Sequence, residues 1–148
     1  YYSEQCTKEE TQMIDAFIAH TGLKGNVTPY IFTGSNELLQ HFSKGFYQGI
    51  TVGCPGFYGP QGRVLRLGLA YPGLIEKLTD FRFGNTFISN FEMETSAIYG
   101  LGRALRHRCL SLNVIVANRV LKQFSKDGAA AVENLIKASL EIIAAHNL

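Results

Sequence analysis

The sequence carries no strong excess of charge of either sign. Its 148 residues include 14 lysines and arginines against 12 aspartates and glutamates, which gives a formal net charge of +2. Proteins that bind nucleic acid through its phosphates concentrate positive charge, so this balance predicts no nucleic-acid partner. A hydrophobic content of 46% with only 18% charged residues excludes a disordered chain, and the length fits one domain.

Cysteine is scarce and its spacing is not that of a disulfide framework. Cys6, Cys54 and Cys109 are far apart and form no C-x-x-C pair. This pattern is typical of reduced thiols in a cytosolic protein and predicts neither a disulfide scaffold nor a metal site. The longest strongly apolar stretch, residues 109–117, is much shorter than the ~20 residues of a membrane helix. We therefore expect a cytoplasmic protein without a membrane partner.

Helical and strand patterns alternate along the chain. Helices are predicted after a capping box at residues 7–10, after Ser35, and over 72–83, 95–107 and 127–145. Strands are predicted over 27–33, 49–53, 86–91 and 110–117, and 64–69 is ambiguous between strand and loop. The order predicts an α/β layer architecture with a largely parallel or mixed sheet.

Two of these elements are predicted to be buried. Residues 110–117 have almost no polar side chain, as expected of a strand that is covered on both faces. The last helix carries apolar side chains at helical spacing, which predicts a buried face made of Val132, Leu135, Ile136, Leu140 and Ile143. Two glycines inside the preceding helix, Gly100 and Gly102, predict close packing against a neighbour.

A glycine-rich loop, residues 54–63, is the first candidate for function. Gln61 and Arg63 point the same way in an extended segment and offer an amide and a rigid donor fork. Such groups match a flat ligand edge with alternating carbonyls and N–H groups, and Phe57 supplies a face for stacking. The alternative is a plain surface turn with a solvated arginine.

A pair of carboxylates is the second candidate. Glu92 and Glu94 lie two residues apart where an apolar strand becomes a helix. They can accept hydrogen bonds from a vicinal diol, with Met93 beside the ring. Two alternatives remain open here: an acid/base pair for glycoside hydrolysis, or carboxylates that cap the helix and suit its dipole.

Three blocks of the sequence resemble the nucleoside phosphorylase superfamily, and within it the uridine phosphorylases. They are residues 56–63 (GFYGPQGR), 90–97 (NFEMETSA) and 114–119 (VIVANR), in the order and at about the spacing of that family. The resemblance implies a three-layer α/β/α fold with a mixed sheet. It also implies phosphorolysis of a pyrimidine nucleoside to ribose 1-phosphate and uracil, with phosphate as co-substrate and no other cofactor. A homo-oligomer built from dimers, up to a hexamer, is implied as well.

The resemblance assigns roles to residues of the base site. Gln61 and Arg63 would hold the pyrimidine edge as the catalytic donors, Phe57 would stack on it, and Arg119 would support both donors. Purine-handling relatives carry aspartate at the position of Asn118, so asparagine there implies a preference for pyrimidines.

The resemblance assigns the ribose site to the second block. Glu94 would accept hydrogen bonds from the ribose hydroxyls, Met93 would lie along the sugar, and Glu92 would lie beside them.

The phosphate site of the family has no counterpart in this sequence. Residues 1–53 contain no arginine, and their only lysines are Lys8, Lys24 and Lys44. The resemblance therefore implies that residues 1–148 form the C-terminal portion of a phosphorylase domain, and we expect the isolated chain not to catalyse phosphorolysis. A purine-preferring phosphorylase, a nucleosidase of the same fold and a non-catalytic nucleoside-binding fragment are the alternatives.

Overall fold

The structure is a computed structural model that describes residues 2–23, 25 and 27–148, so Lys24 lies outside the described residues. Helices and strands alternate through most of it. The helices are α1 (Lys8–Thr21), α2 (Asn36–His41), α3 (Leu74–Asp80), α4 (Thr95–Ala104) and α5 (Gly128–His146). The strands are β1 (Ile50–Gly53), β2 (Arg82–Phe83), β3 (Thr86–Glu92), β4 (Ala117–Asn118) and β5 (Gln123–Phe124). Residues 64–69 form a loop.

The main sheet is mixed, in the order β1-β3-β2. β1 pairs in parallel with β3, and β2 pairs antiparallel with β3 across a turn at Gly84. β4 and β5 form a separate antiparallel hairpin. The predicted α/β class with a mixed sheet is confirmed, whereas the three-layer phosphorylase arrangement remains a prediction.

Local capping chemistry sets the helix ends as the sequence predicts. The Thr7 hydroxyl accepts a hydrogen bond from the Glu10 N–H, and the Glu10 carboxylate accepts one from the Thr7 N–H, which completes the capping box. Gly22 ends α1 in the left-handed conformation, with φ of 73°. At the N-termini of α2 and α5, the side chains of Ser35 and Asp127 each accept a hydrogen bond from the backbone N–H three residues later.

Few apolar side chains are fully buried among the described residues, and one group of them lies between α1 and α3. Leu78 and Phe81 are almost fully buried, and the Phe81 ring meets Phe17 edge to face at 5.3 Å. Helix α3 is shorter than predicted, because the chain turns after Asp80 so that Arg82–Phe83 can pair with β3.

A buried ion pair joins α1 to α4. Glu10 is 1% exposed, and its two carboxylate oxygens accept hydrogen bonds from Arg103 at 2.6 and 2.7 Å. The backbone N–H and hydroxyl of Thr33 donate to the same carboxylate. The Arg103 guanidinium also lies 4.7 Å from the centre of the Phe32 ring. This cluster holds α1, the segment before α2 and α4 together.

Close packing of α4 is confirmed at Gly102. A Cβ there would lie 2.3 Å from the Cys109 sulfur, so only glycine leaves room for the chain that returns after the helix.

Two predicted strands are not strands in the structure. Residues 27–33 and 110–116 pair in no β-ladder, and of the strand predicted over 110–117 only Ala117 enters one, in β4. The composition of these segments favours strands, but a strand forms only where a neighbouring edge accepts its hydrogen bonds. No such edge faces them among the described residues.

The predicted buried face of α5 is also wrong. The helix lies close to its predicted bounds but has no buried residue, and Val132, Ile136, Leu140 and Ile143 are all exposed. The protein exposes 10476 Å² in total. A compact monomer of 16.4 kDa exposes about 7,500 Å², so apolar faces that the sequence marks for burial remain open. None of the helices in the described part of the chain is long and apolar enough to cross a membrane.

The Glu10 ion pair predicts a pH-dependent stability. Burial opposes ionisation of this carboxyl, but the hydrogen bonds from Arg103, Thr7 and Thr33 lower its pKa from 4.5 to about 2. A lowered pKa stabilises the fold above pH 4.5, and that stabilisation of about 3 kcal/mol is lost as the pH falls from about 4.5 to about 2. We expect Glu10→Gln to lower the free energy of unfolding by about 2–3 kcal/mol at pH 7 and to flatten this acid dependence, as measured by urea denaturation.

The matched control is Glu9→Gln, one residue away on the exposed face of the same helix. It should leave both the stability and its acid dependence within about 0.5 kcal/mol of the parent. Equal losses in the two variants would show that Glu10 contributes only general surface charge.

Candidate functional site

The two candidate segments follow the carboxyl ends of two neighbouring parallel strands, at the same end of the sheet. The glycine-rich loop follows β1, and Glu92–Glu94 follow from the end of β3, which is parallel to β1. The pairing of Gly53 with Glu92 is extended by a 2.8 Å hydrogen bond from the Cys54 N–H to the Glu92 carbonyl. The crevice beyond the carboxyl ends of parallel strands is where α/β proteins bind ligands. The fold thus starts both segments at neighbouring positions, Cys54 and Glu92.

Gln61 is the centre of a first cluster of side chains, whose other members are Phe57, Arg63 and Arg119. It is 5% exposed, at the end of a short 3-10 helix (Gly59–Gln61). Its Oε1 accepts a hydrogen bond from Arg63 at 3.0 Å and another from Arg119, which lies 58 residues later in the chain. Because guanidinium groups only donate, the amide oxygen must face the two arginines. The Gln61 NH₂ group is thereby turned away from them as a donor.

Arg63 covers one face of Phe57. Its guanidinium carbon lies 3.6 Å from the ring centre, and the same side chain donates a hydrogen bond to the Phe57 carbonyl. The Phe57 ring is half exposed. The Tyr58 ring also meets Phe57, at 5.3 Å and nearly a right angle, so a flat ligand can stack on Phe57 only where the ring remains exposed.

The first cluster concentrates positive charge. Burial and the neighbouring Arg63 charge lower the pKa of Arg119 from its ordinary value. Two guanidinium groups that share one amide oxygen repel each other, so a ligand atom with negative charge between them is stabilised. The cluster suits a group on which negative charge develops.

Glu92 acts first as a helix cap. Its Oε2 accepts hydrogen bonds from the backbone N–H groups of Glu94 and Thr95, at 2.6 and 2.5 Å, where α4 begins. Its Oε1 is buried and has no hydrogen-bond partner among the described residues. A buried carboxylate oxygen without a donor is rare and costly, so this atom is suited to accept from a hydroxyl or a water.

Glu94 and Met93 face outward. The Glu94 side chain is exposed, and its only described hydrogen bond is accepted from the Met93 N–H at 3.1 Å. Met93 is 45% exposed. The structure thus separates the two acids, with Glu92 holding the turn and Glu94 free to accept from a ligand.

Cys54, whose N–H donates to the Glu92 carbonyl at the start of the glycine-rich loop, was not among the sequence candidates. The residue is buried at the end of β1, and burial raises the pKa of its thiol, with Arg119 acting in the opposite direction and Glu92 in the same one. Both charged groups are therefore within electrostatic reach of one side chain. Its place in the sequence, between a predicted strand and a glycine-rich loop, was the available signal.

Asn118 is engaged in its own hairpin. Its Oδ1 accepts a hydrogen bond from the Leu121 N–H at 2.9 Å, and the residue is exposed in β4. This contact positions the turn that follows, and the next residue, Arg119, reaches Gln61.

The chain is similar to a uridine phosphorylase. It shares 29% identity over 108 residues with the uridine phosphorylase of Thermococcus kodakarensis, a match that covers 73% of this chain but only 38% of the relative. No protein-family model matches the chain, and no solved structure does. The similarity supports a distant nucleoside phosphorylase-like relationship.

Gly53 packs closely against the side chains of Ser96 and Glu92, and this packing predicts that a larger residue there lowers the stability. A Cβ at Gly53 would lie 2.5 Å from the Ser96 hydroxyl and 3.2 Å from Glu92 Oε1. We expect Gly53→Ala to cost about 1–3 kcal/mol in the free energy of unfolding, because β3 and α4 must shift to admit the methyl group. Urea denaturation measures the loss.

The matched control is Gly59→Ala, in the loop itself, where an added Cβ meets nothing within 4 Å. It should change the stability by less than about 0.5 kcal/mol. A Gly53→Ala variant as stable as Gly59→Ala would contradict the close approach of β1 to Ser96.

Proposed function

We propose that the chain is the nucleoside-binding part of a pyrimidine nucleoside phosphorylase that acts on uridine. The observation that carries the proposal is the buried Gln61 amide, which Arg63 and Arg119 orient at the sheet edge where Glu94 is exposed. The similarity to a protein named uridine phosphorylase supports it. Phosphate is the co-substrate, and the reaction needs no metal or organic cofactor.

The proposed reaction breaks the bond between the sugar and the base. A phosphate oxygen attacks the anomeric carbon, and the electron pair of the C–N bond leaves with the uracil ring. Negative charge then grows on the ring oxygens and nitrogen, and donors that are already in place stabilise that charge without reorganisation. Gln61 Nε2 and the Arg63 guanidinium would supply these donors, and Arg119 would hold the amide in orientation.

The ribose would lie against a second cluster, which consists of Glu92, Met93 and Glu94. Glu94 accepts hydrogen bonds from the sugar hydroxyls, and the exposed Met93 side chain packs along the ring. The free Oε1 of Glu92 provides a further buried acceptor for a hydroxyl or an ordered water. The cation-like sugar of the transition state is stabilised by carboxylates on this side.

The preference for pyrimidines follows from which protons the site can supply. A purine leaves more readily when an acid protonates its ring nitrogen, and an asparagine such as Asn118 has no titrating proton to give. Its amide oxygen is moreover bound to the Leu121 N–H. A uracil anion needs only fixed donors, which the first cluster offers.

Nucleoside binding by the 148-residue chain tests the proposal. We expect uridine to bind, as measured by isothermal titration calorimetry, and inosine to bind more weakly. Arg63→Ala should weaken uridine binding roughly ten- to a hundred-fold, because a hydrogen bond to a charged group contributes about 1.5–3 kcal/mol. We also expect the chain alone, given uridine and phosphate, to produce no ribose 1-phosphate.

Arg66→Ala is the control, since Arg66 is exposed and makes no described hydrogen bond. It should bind uridine as the parent does. Tighter binding of inosine than of uridine would favour a purine enzyme. Equal losses of uridine affinity in Arg63→Ala and Arg66→Ala would show that Arg63 does not form a base site. Release of free ribose without phosphate would identify a nucleosidase.

Glu94→Gln tests the ribose site separately. The amide keeps the shape of the side chain but loses its charge, so uridine affinity should fall roughly ten- to a hundred-fold. The affinity for 2′-deoxyuridine should fall less, because that ligand offers one hydroxyl fewer. Glu76→Gln, an exposed acid of α3, should leave both affinities unchanged. A loss of the same size for both ligands would assign Glu94 to the helix end rather than to the sugar.

A further inference from the structure

A cavity of about 330 Å³ lies at the C-terminal end of α4, away from the candidate site. Its walls come from the segment before α2, from α4 itself and from the chain that leaves α4. Three arginines, one histidine and three hydroxyl side chains line it, and no carboxylate of the described residues does. A cavity of this size can hold a small ligand, and such a lining suits a ligand with negative charge.

Hydrogen bonds hold the walls of the cavity together. The Ser35 N–H donates to the Cys109 carbonyl at 2.8 Å, which joins the segment before α2 to the chain after α4. Arg103 on α4 donates to the Thr33 hydroxyl at 3.3 Å, and its ion pair with Glu10 neutralises its own charge. Groups that are fixed before a ligand arrives lose less conformational entropy on binding. The cavity is therefore organised in advance.

The cations that remain available follow each other directly in the sequence. Arg106 and His107 are exposed, and neither side chain makes a hydrogen bond or ion pair with another described residue. Arg108 makes an ion pair with Glu37, and both side chains of that pair are more than half exposed. Exposed ion pairs are weak, so Arg108 can turn to a ligand. Two guanidinium groups and an imidazole N–H suit a phosphate group, whose oxygens accept several hydrogen bonds at once.

The Tyr99 hydroxyl adds an uncharged donor. It accepts a hydrogen bond from the Ser111 N–H at 2.6 Å, and its own proton has no acceptor among the described residues. Burial raises the pKa of this hydroxyl, so the proton stays available for donation. Gly34 makes room for the hydroxyl, since a Cβ there would lie only 3.0 Å from the Tyr99 oxygen.

Arg106 occupies a backbone position that glycine usually takes. Its φ is 61°, and it ends α4 in a Schellman motif, in which the His107 N–H donates to the Gly102 carbonyl at 2.8 Å. Side chains other than glycine are strained in this conformation, and strained residues are concentrated at functional sites. The dipole of α4 favours cations near its C-terminus, but it does not require one at this position. The strain at Arg106 therefore indicates a specific use of its side chain at the cavity.

We propose that the cavity binds a phosphate group, as free phosphate or as a small phosphate ester, through Arg106, His107 and Arg108. This site differs from that of the attacking phosphate. Helix α4 has 10 residues and Glu92 caps its other end, so about 15 Å separate the cavity from the ribose acceptors. A phosphate bound here cannot reach the sugar and is a second, separate ligand. The inference goes beyond the proposed function and does not rest on it.

Calorimetric titration of the 148-residue chain with inorganic phosphate tests the proposal. We expect the parent to bind and Arg106→Gly to lose affinity roughly ten- to a hundred-fold, because a charged donor is removed. Glycine adopts the left-handed conformation freely, so this variant should be at least as stable as the parent in urea denaturation. A loss of binding without a loss of stability excludes unfolding as its cause.

Lys122→Gly is the matched control. Lys122 is the other described cation in the left-handed conformation, with φ of 52°, and it lies in the turn between β4 and β5, outside the lining of the cavity. The variant loses the same charge and relieves the same backbone strain. It should bind phosphate as the parent does.

Glu37→Gln should change the affinity in the opposite direction. It releases Arg108 from its ion pair and removes a negative charge beside the cavity, so phosphate affinity should rise roughly two- to five-fold. Glycerol 3-phosphate and glycerol, titrated in parallel, distinguish the two sources of the phosphate group. Tighter binding of the ester than of inorganic phosphate identifies an ester as the ligand, and the reverse identifies the free ion. Glycerol alone should not bind.

Three results would overturn the proposal. They are no phosphate binding by the parent, equal losses in Arg106→Gly and Lys122→Gly, and a loss in Arg63→Ala that Arg106→Gly does not share. The last of these would place the anion in the candidate site. Uridine titration reports on the proposed function independently, since Arg106→Gly should bind uridine as the parent does. Failure of either proposal therefore leaves the other intact.

Discussion

The parallel pairing of β1 with β3 is the constraint on which the candidate site depends. It brings the ends of two strands, about 40 residues apart in sequence, to one edge of the sheet, where Gly53 lies opposite Glu92. Glycine at position 53 favours this pairing, because the Ser96 side chain of α4 lies close to the space that a Cβ would occupy. The same edge positions the Glu92 carboxylate over the first N–H groups of α4. This pairing thus places the end of β1 beside the start of α4.

Each cluster uses charge in a way that leaves a polar group available. In the first, two arginines on one amide oxygen turn the Gln61 NH₂ outward, and this orientation follows from donor and acceptor chemistry alone. In the second, one Glu92 oxygen satisfies the helix end while the other remains without a donor. Capping and ligand binding, posed as alternatives by the sequence, are therefore compatible at Glu92, because a carboxylate has two oxygens.

What could be predicted from the sequence was largely what is decided locally. Thr7, Ser35 and Asp127 cap the helices that follow them, because a capping bond spans only three residues. The contact of Arg119 with Gln61 spans 58 residues, and only the resemblance to phosphorylases suggested it. The errors at 27–33, at 110–117 and on α5 share one cause. The hydrophobic pattern of a segment indicates that its apolar side chains favour burial. Whether the segment pairs as a strand or is buried depends on a neighbouring element, which the described residues do not provide.

Under the proposed function, the candidate site separates recognition of the nucleoside from the attack on its sugar. The first cluster is built by residues 57–63 and Arg119, and the second by the end of β3 and the start of α4. Orienting a base and a ribose requires only donors and acceptors that these clusters already hold. An attacking phosphate requires cationic groups that do not already bind the base, and no arginine precedes Arg63. Under the proposed function, these residues supply the donors for a base and the acceptors for a ribose, and the groups that hold the phosphate are not among them.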